Sequence, residues 1–436
     1  MVNKCFKLVM LVLFLFNITV INVFAEGSKE EELADLKVQV QGLLNRIEKL
    51  EAGQVNDKEE VKKTKEELSK VKEAQQTAQA GRVDLANSLS KLKIKGRAAL
   101  GFFDSGKAGS YPAGSFEMPD AKLQFVFQPD DVNTLVARFN VNNATAQSPL
   151  MDYLFLQSKD FLPFLKDTPF SLSGRLGKFK LGFGEETWSD NPVEGILPSN
   201  SAARATVTDE GLELAGKIKL EKFNLKPLGW VFSVSDGNSG VGSDSTAGKA
   251  VMVKLYNSPI EPLYLSTSYY NSGRLDSSSS EMSIAGLITP PSGESDWDRS
   301  VWEVDARYDF GKGKKPLDPP AYSDSKAIIR LSFGQFKDEA NKTRSGDFGF
   351  IEGTYNWTKK FYTASRYSLV NINGDGTATL NSITAVNGYA RFSLGGGYRW
   401  TDNTILKLSY DWNKNSGPGR DDADDNLTSA ALVTQF

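Results

Sequence analysis

Residues 387–413 read NGYARFSLGGGYRWTDNTILKLSYDWN, and their alternation decides the fold. In the first half, Phe392 and Leu394 are separated by the polar Ser393, and Arg391 lies on the polar side. The second half alternates in the same way after a short polar turn. Because successive side chains of a strand point to opposite faces, this stretch predicts two antiparallel strands, each with one apolar and one polar face.

The same period of two recurs from residue 91 to the end of the chain. Strands with one apolar and one polar face over about ten residues are typical of barrels that cross a membrane. The sequence therefore predicts an all-β transmembrane barrel of about 16 antiparallel strands. The predicted strands are 91–103, 117–128, 133–143, 151–160, 169–181, 210–220, 224–236, 248–257, 262–271, 301–311, 325–336, 346–357, 360–371, 387–400, 404–413 and 427–436.

The connections between these strands are sorted by length. One set is mostly short, as in 129–132 and 401–403, and the other is mostly long, as in 182–209 and 272–300. Short turns on the periplasmic side and long loops outside are typical of outer-membrane barrels. A soluble β-sandwich has no reason to sort its connections in this way. The order of the connections places both ends of the barrel in the periplasm.

The last predicted strand ends on an aromatic residue, Phe436. Leu432 and Ala430 share its face, and so does Thr434, where an apolar residue is usual. A terminal aromatic on a lipid-facing strand resembles the signal that outer-membrane assembly machinery reads. We therefore predict that Phe436 is the barrel assembly signal, on the strand that closes the barrel against 91–103.

The first 25 residues have the pattern of a signal peptide. Lys4 and Lys7 precede the apolar run Leu8–Phe16, and cleavage is expected after Ala25. The only cysteine, Cys5, lies in this segment, and the chain has no histidine. Thiol chemistry, Ser–His–Asp catalysis and most zinc sites are therefore excluded for the mature chain.

The net charge of the chain is small and negative. Loss of Lys4 and Lys7 changes the net charge from −3 to −5, so nothing indicates nucleic-acid binding. We predict a protein that is not an enzyme and has neither a metal site nor a cofactor.

Residues 26–90 carry a heptad repeat. With Leu33 at position a and Leu36 at position d, the register holds over nine heptads, although Gln54 and Asp57 make its centre polar. This predicts a periplasmic α-helical coiled coil, and a single solvated helix is the alternative. The predicted domains are thus a signal peptide (1–25), the coiled coil (26–90) and the barrel (91–436).

One stretch is specific enough to suggest a family. Residues 172–186 read LSGRLGKFKLGFGEE. They resemble the phosphate-selective porin O/P family, in which a strand ends in a G-x-F-K-x-P-F-G run before a long loop. Gly182 stands here where the family commonly has proline. The matching residues are Gly177, Phe179, Lys180, Phe183 and Gly184.

The resemblance implies a sixteen-stranded, trimeric porin whose loop 182–209 folds inward and narrows the channel. It does not establish phosphate as the solute. The acidic excess of the loop would disfavour anions if these side chains face the lumen. The predicted constriction residues are Glu185, Glu186, Asp190, Glu194 and Arg204.

The polar faces of the strands carry mostly basic residues. Glu213, Glu303, Asp305 and Glu352 share these faces by parity. Bases on the lumen wall favour anions, and carboxylates on the loop opposite would create a transverse field. The alternative is that pore water solvates these groups and they confer no selectivity. The predicted pore-lining residues are Lys122, Arg138, Arg175, Lys217, Lys219, Arg307, Arg330, Arg366, Arg391 and Arg399.

The sequence thus predicts a porin of the bacterial outer membrane. It would form a water-filled channel for passive diffusion of ions and small hydrophilic solutes, with a preference for anions. The expected partners are outer-membrane lipid and two further copies in a homotrimer. The alternative function is a structural protein that tethers the envelope, with the coiled coil in contact with the cell wall.

Overall fold

The computed structural model divides the chain into two units, Met1–Lys91 and Leu92–Phe436, which are described separately. In the first unit, residues 37–46 and 65–73 are helical. The predicted signal peptide and most of the predicted coiled coil lie outside the described residues. The structure describes residues 35, 37–46, 48–49, 62–63, 65–73, 90–141, 151–162, 170–185, 192–219, 226–237, 248–276, 282–291, 293–311, 320–374, 378–417 and 424–436.

The second unit consists almost entirely of strands. A single 3₁₀-helix, Pro320–Tyr322, is the exception among its described residues. The strands are β1 (Leu92–Ser105), β2 (Ser115–Phe127), β3 (Asn133–Asn140), β4 (Met151–Ser158), β5 (Phe170–Lys180), β6 (Ala205–Thr206), β7 (Thr208–Ile218), β8 (Leu228–Ser235), β9 (Ala250–Ile260), β10 (Leu263–Asn271), β11 (Leu275–Asp276), β12 (Ser283–Ile284), β13 (Asp296–Phe310), β14 (Ala327–Glu339), β15 (Arg344–Asn356), β16 (Phe361–Gly374), β17 (Ala378–Leu380), β18 (Ile383–Val386), β19 (Gly388–Arg399), β20 (Thr404–Ser416) and β21 (Leu427–Gln435).

Sixteen of these strands form a closed antiparallel barrel; β6, β11, β12, β17 and β18 are short additions. Each barrel strand pairs with the next along the chain, and β21 pairs with β1 to close the ring. The predicted barrel and its strand count are confirmed, and each of the sixteen predicted segments overlaps one strand. None of the described helices has the length and hydropathy needed to cross a membrane.

The two faces of the barrel wall differ as the alternation predicts. On β13, Trp302 and Val304 are exposed on the outside, whereas Glu303 and Asp305 between them are buried on the inside. The outer surface is therefore an apolar band with aromatic rings at strand ends, such as Trp400. Such a surface suits contact with lipid.

The barrel closes between Gly96 and Phe436. The Gly96 amide donates to the Phe436 carbonyl at 3.1 Å, and the Phe436 amide donates to the Gly96 carbonyl at 2.9 Å. The Phe436 ring lies over Gly96, where a Cβ atom would be only 2.3 Å from the nearest ring carbon. An aromatic ring thus covers the position where a strand glycine offers no side chain of its own.

We expect Gly96→Val to displace this ring and to weaken the closing pair by about 1 kcal/mol, the scale of a cross-strand aromatic contact. The measurement is the urea concentration at which the barrel unfolds. Gly353→Val is the matched control, because the nearest atom to a Cβ there is 3.9 Å away. Equal shifts of both midpoints would contradict a special role for the Gly96–Phe436 contact.

The barrel has two different rims. The near rim is the end where β1 begins and β21 ends, and it carries turns such as 261–262, 357–360 and 400–403. The far rim carries the longer loops, of which 181–207 and 272–295 include the short strands that pair as β6 and β12. Both ends of the barrel chain therefore lie at the rim with mostly short turns, as the sequence predicts.

Loops from the far rim fill part of the lumen. Met282 and Leu380, from two different loops, are buried in one apolar cluster with Phe179 and Phe348 of the wall. The pair β6–β12 and the hairpin β17–β18 belong to the same packed region. This side of the interior is therefore packed as a protein core rather than filled with water.

Candidate permeation passage

The loop 181–207 enters the lumen along the inner wall of β9, β10 and β14. The Lys254 ammonium donates to the Gly184 carbonyl at 2.8 Å and contacts the Glu185 carboxylate at 3.3 Å. The Gly184 amide donates to the Ser268 hydroxyl at 3.1 Å. Glu185 therefore faces the wall, and its charge is paired there with Lys254.

The deepest part of the loop, residues 192–197, lies against β16 and β20. Lys407 is fully buried and donates to the carbonyls of Pro192 at 2.6 Å and Val193 at 2.9 Å, and also to that of Gly195. The Tyr362 hydroxyl donates to the Ile196 carbonyl at 2.8 Å. Since β20 lies far around the ring from β5 and β7, which carry the loop, the loop crosses the lumen.

Inward-facing arginines hold this loop in pairs that share one carboxylate. Glu352 accepts from Arg330 at 2.9 Å and from Arg366 at 3.0 Å. The remaining guanidinium nitrogens donate to main-chain oxygens of the loop, Arg330 to Glu185 at 3.4 Å and Arg366 to Ser199 at 3.1 Å. We call this arrangement of two bases on one carboxylate a clamp.

A second clamp holds the loop 272–295. Asp338 accepts from Arg299 at 2.7 Å and from Arg344 at 2.8 Å. Arg299 also donates to the carbonyls of Met282 and Leu287, and Arg344 to that of Thr289. Because Arg299 and Asp338 are fully buried, removing one partner would leave a buried charge without its counter-ion.

Other predicted pore-lining residues also contact protein rather than open water. Arg391 donates to the Asn200 carbonyl at 3.0 Å, and Arg399 donates to the Ala321 carbonyl at 2.8 Å. Arg307 is paired with Asp309 at 2.7 Å. The alternative, in which pore water solvates the predicted pore-lining side chains, does not describe Arg307 and Arg391, because turns and loops cover the wall where they lie, whereas Arg399 also borders a cavity at the near rim.

The remaining predicted residues fall into two groups. Arg175 is partly buried against β7, where it contacts Glu213 at 2.8 Å. Lys217 and Lys219 are exposed near the near rim, on the inward parity of β7. Of the ten, Lys122 and Arg138 line two cavities on the β1–β5 side of the barrel, and Arg399 borders a third cavity at the near rim.

The two cavities on the β1–β5 side differ in size and in their distance from the near rim. The far cavity has a volume of about 250 Å³, and the near cavity about 480 Å³. Arg97, Lys122 and Arg138 line both and therefore stand where the two meet. The loop residues that line the far cavity are Pro192, Pro198, Asn200, Arg204 and Thr206, and Thr208 at the start of β7 lines it as well. The near cavity reaches the near-rim residues Asn403 and Gln435.

The wall of the passage carries a row of charges across β1 to β4. Arg97 contacts Asp120 at 2.6 Å, and Asp152 accepts from Lys122 at 2.8 Å and from Arg138 at 2.5 Å. We call these five side chains the charge ladder. Within the described part of the chain, the two terminal nitrogens of the Arg138 guanidinium have no hydrogen-bond acceptor. Lys122 and Arg138 on Asp152 thus form a third clamp, and it differs from the other two because its bases bind no main-chain oxygen of a loop among the described residues.

Bases outnumber acids around the passage. Five basic and two acidic side chains line the far cavity, namely Arg97, Lys122, Arg138, Lys180 and Arg204 against Asp120 and Asp152. The near cavity has four bases and one acid, Glu194. Clusters of carboxylates suited to a metal ion are absent from the described residues.

The predicted constriction residues are distributed differently from the expectation. Arg204 lines the far cavity and Glu194 the near cavity, whereas Glu185 is turned away to Lys254. Glu186 and Asp190 lie outside the described residues. Among the described residues of the loop, the charged side chain that lines the far cavity is therefore basic, although the loop as a whole has an excess of acids.

Arg97, Asp120, Asp152 and Lys180 are functional candidates that the sequence analysis did not select. Arg97 and Asp120 lie within the predicted strands 91–103 and 117–128, so the alternation of these strands could have assigned both side chains to the inner face. Nothing in the sequence shows which part of a lumen stays open, because that depends on where distant loops fold.

No family model and no curated protein sequence matches the chain. Among solved structures it is similar to in-vitro folded OmpT, an outer membrane protein of Vibrio cholerae, with a TM-score of 0.50 and 11% identity over 79% of this chain and 97% of that one. It is also similar to an anion-selective porin from Comamonas acidovorans (TM-score 0.49, 11% identity, 79% and 99% covered). A third is the outer membrane channel DcaP of Acinetobacter baumannii (TM-score 0.49, 13% identity, 79% and 97% covered). At these identities the likeness shows the fold alone, which is that of outer-membrane barrels.

Proposed function

We propose that the protein is a porin of the bacterial outer membrane, through which small hydrophilic solutes diffuse passively and anions are favoured. The observation that carries this proposal is the passage along the charge ladder, in which Arg97, Lys122 and Arg138 join two cavities. The near rim then faces the periplasm, and the apolar outer band contacts outer-membrane lipid.

The excess of positive charge supports the preference for anions. A unit charge about 5 Å from a passing ion contributes roughly 0.8 kcal/mol in water, which is about a fourfold change in local ion concentration. With five bases and two acids around the far cavity, the balance favours anions over cations. The acids of the ladder hold the bases on adjacent strands together, since they would otherwise repel one another.

Several finer features belong to the same proposal. The protein would be a homotrimer, and Phe436 would direct its assembly. Residues 1–25 would be a signal peptide, and residues 26–90 a periplasmic coiled coil that contacts the cell wall. Phosphate stays one candidate solute among other small anions, supported only by the resemblance of residues 172–186.

Conductance in a planar lipid bilayer tests the proposal. We expect the purified protein to produce stepwise currents. In a salt gradient of potassium chloride, the reversal potential should have the sign of a channel that prefers chloride. The same protein unfolded by heat before addition is the control. Absence of steps would overturn the channel, and a cation-selective reversal potential would overturn the anion preference alone.

A further inference from the structure

A turn at the near rim reaches up into the lumen and contacts the loop. The 3₁₀-helix Pro320–Tyr322 lies in the connection between β13 and β14. Ala321 is fully buried, and its amide donates to the Glu194 carbonyl at 3.2 Å. It packs in one apolar cluster with Val193, Ile196 and Leu197 of the loop. The lowest part of the loop therefore rests on residues that enter from the opposite rim.

Arg399 connects this turn to the wall. Its guanidinium donates to the Ala321 carbonyl at 2.8 Å, to the Ser323 carbonyl at 3.4 Å and to the Asn356 side-chain oxygen at 3.0 Å. It also lies 4.9 Å from the centre of the Tyr362 ring, whose hydroxyl holds the loop at Ile196. One side chain thus contacts both the turn and the tyrosine that bind the underside of the loop.

The supported segment of the loop has a second face, and that face borders the passage. Pro192 and Pro198 line the far cavity, and Glu194 lines the near cavity. The same segment thus contacts the turn at Glu194 and also borders both cavities. Because packed segments of this kind transmit displacement rather than absorb it, a shift of Ala321 must alter the width of the passage.

We propose that the segment 320–326 is a positioning element that sets the width of the passage from the near rim, so that a load on this segment changes conductance. The proposal rests on the proposed function, since it needs a conducting channel. The segment is reachable, because Asp324 and Lys326 are exposed and border a cavity of about 460 Å³ at the near rim. Arg399 also borders this near-rim cavity, and we assign it as the positioning residue because it contacts Ala321 and Tyr362.

Site-directed labelling tests the proposal on the folded, reconstituted protein. The only cysteine of the sequence is Cys5, in the predicted signal peptide, so Asp324→Cys would supply the sole thiol of the mature protein. We expect attachment of a bulky maleimide at position 324, added after reconstitution, to lower single-channel conductance about twofold. The unlabelled variant is the reference for its own labelled form.

Thr358→Cys is the matched control. Thr358 is exposed and borders the same near-rim cavity, but it lies on the turn between β15 and β16 and not on the segment 320–326. A label there adds the same bulk at the mouth, on a turn that accepts a bond from Arg399 at the Lys359 carbonyl but lies outside the segment 320–326. Equal loss of conductance at both positions would overturn the proposal, because it would show obstruction of the mouth rather than displacement of the loop.

A second variant distinguishes a change in the width of the passage from a change in its ion selectivity. Ala321→Leu adds bulk directly beneath Glu194 and should lower conductance while the sign of the reversal potential stays unchanged, since the charge ladder is untouched. Unchanged conductance, with a barrel that is folded by heat-dependent gel mobility, would overturn the positioning role. Absence of any channel in the unmodified protein would instead count against the proposed function.

Discussion

For the channel proposed above, Lys122→Glu combined with Arg138→Glu is expected to replace the proposed preference for anions with a preference for cations. The exchange leaves three bases and four acids around the far cavity in place of five and two. Each unit charge changes the relative concentration of anions by a factor of about two to four, depending on screening by salt. The permeability ratio of chloride to potassium should therefore fall on the order of tenfold or more. Reversal potentials in a potassium chloride gradient measure this ratio directly.

The matched control places the same change of charge elsewhere in the lumen. Lys217 of β7 and Lys219, one residue beyond the end of that strand, share the inward parity but are not among the residues that line the two cavities. We expect Lys217→Glu with Lys219→Glu to change the permeability ratio much less. If both double variants shift the reversal potential equally, selectivity is a property of the whole lumen charge and not of the ladder.

Replacement of Lys407 by methionine should enlarge the channel. Lys407→Met keeps a long side chain but removes the donor to the carbonyls of Pro192, Val193 and Gly195. An unmet buried carbonyl costs about 1 to 3 kcal/mol, and three of them are enough to release the tip of the loop from β20. Conductance should rise roughly twofold or more, and the largest polyethylene glycol that enters the pore should increase.

Lys414→Met tests whether this effect depends on position. Lys414 lies on the same strand, and its side chain is exposed. We expect wild-type conductance from it. An unchanged size limit in Lys407→Met, with the loop still protected from protease, would mean that the bonds from Tyr362, Arg366 and Arg391 suffice to hold the loop.

The barrel could be predicted from the sequence because each strand carries its own alternation of apolar and polar residues. Whether Phe392 faces lipid and Ser393 the interior follows from the period of two, which each strand repeats without reference to the others. Even the closing contact of Phe436 with the first strand follows, since a barrel has only one place for its last strand. The pairing of β21 with β1 confirms it.

The passage could not be predicted in the same way. Arg330 and Arg138 have the same sequence signature, a base on an inward face, and yet one is buried on Glu352 and the loop while the other lines open space. The difference depends on where residues 181–207 fold, and that is decided by contacts with Lys407 and Tyr362, more than 150 positions away in the chain. Parity assigns a face, but only tertiary packing decides whether that face is covered.

The anchors of the inward loop have a consequence for how such a protein can change over generations. Lys407, Tyr362 and Arg366 all bind main-chain oxygens, which every amino acid supplies alike. Substitutions in the loop at positions such as Asn200 or Arg204 therefore leave the attachment intact, although they alter what a solute meets. Substitutions can therefore change the side chains that line the far cavity while the main-chain attachment of the loop is kept.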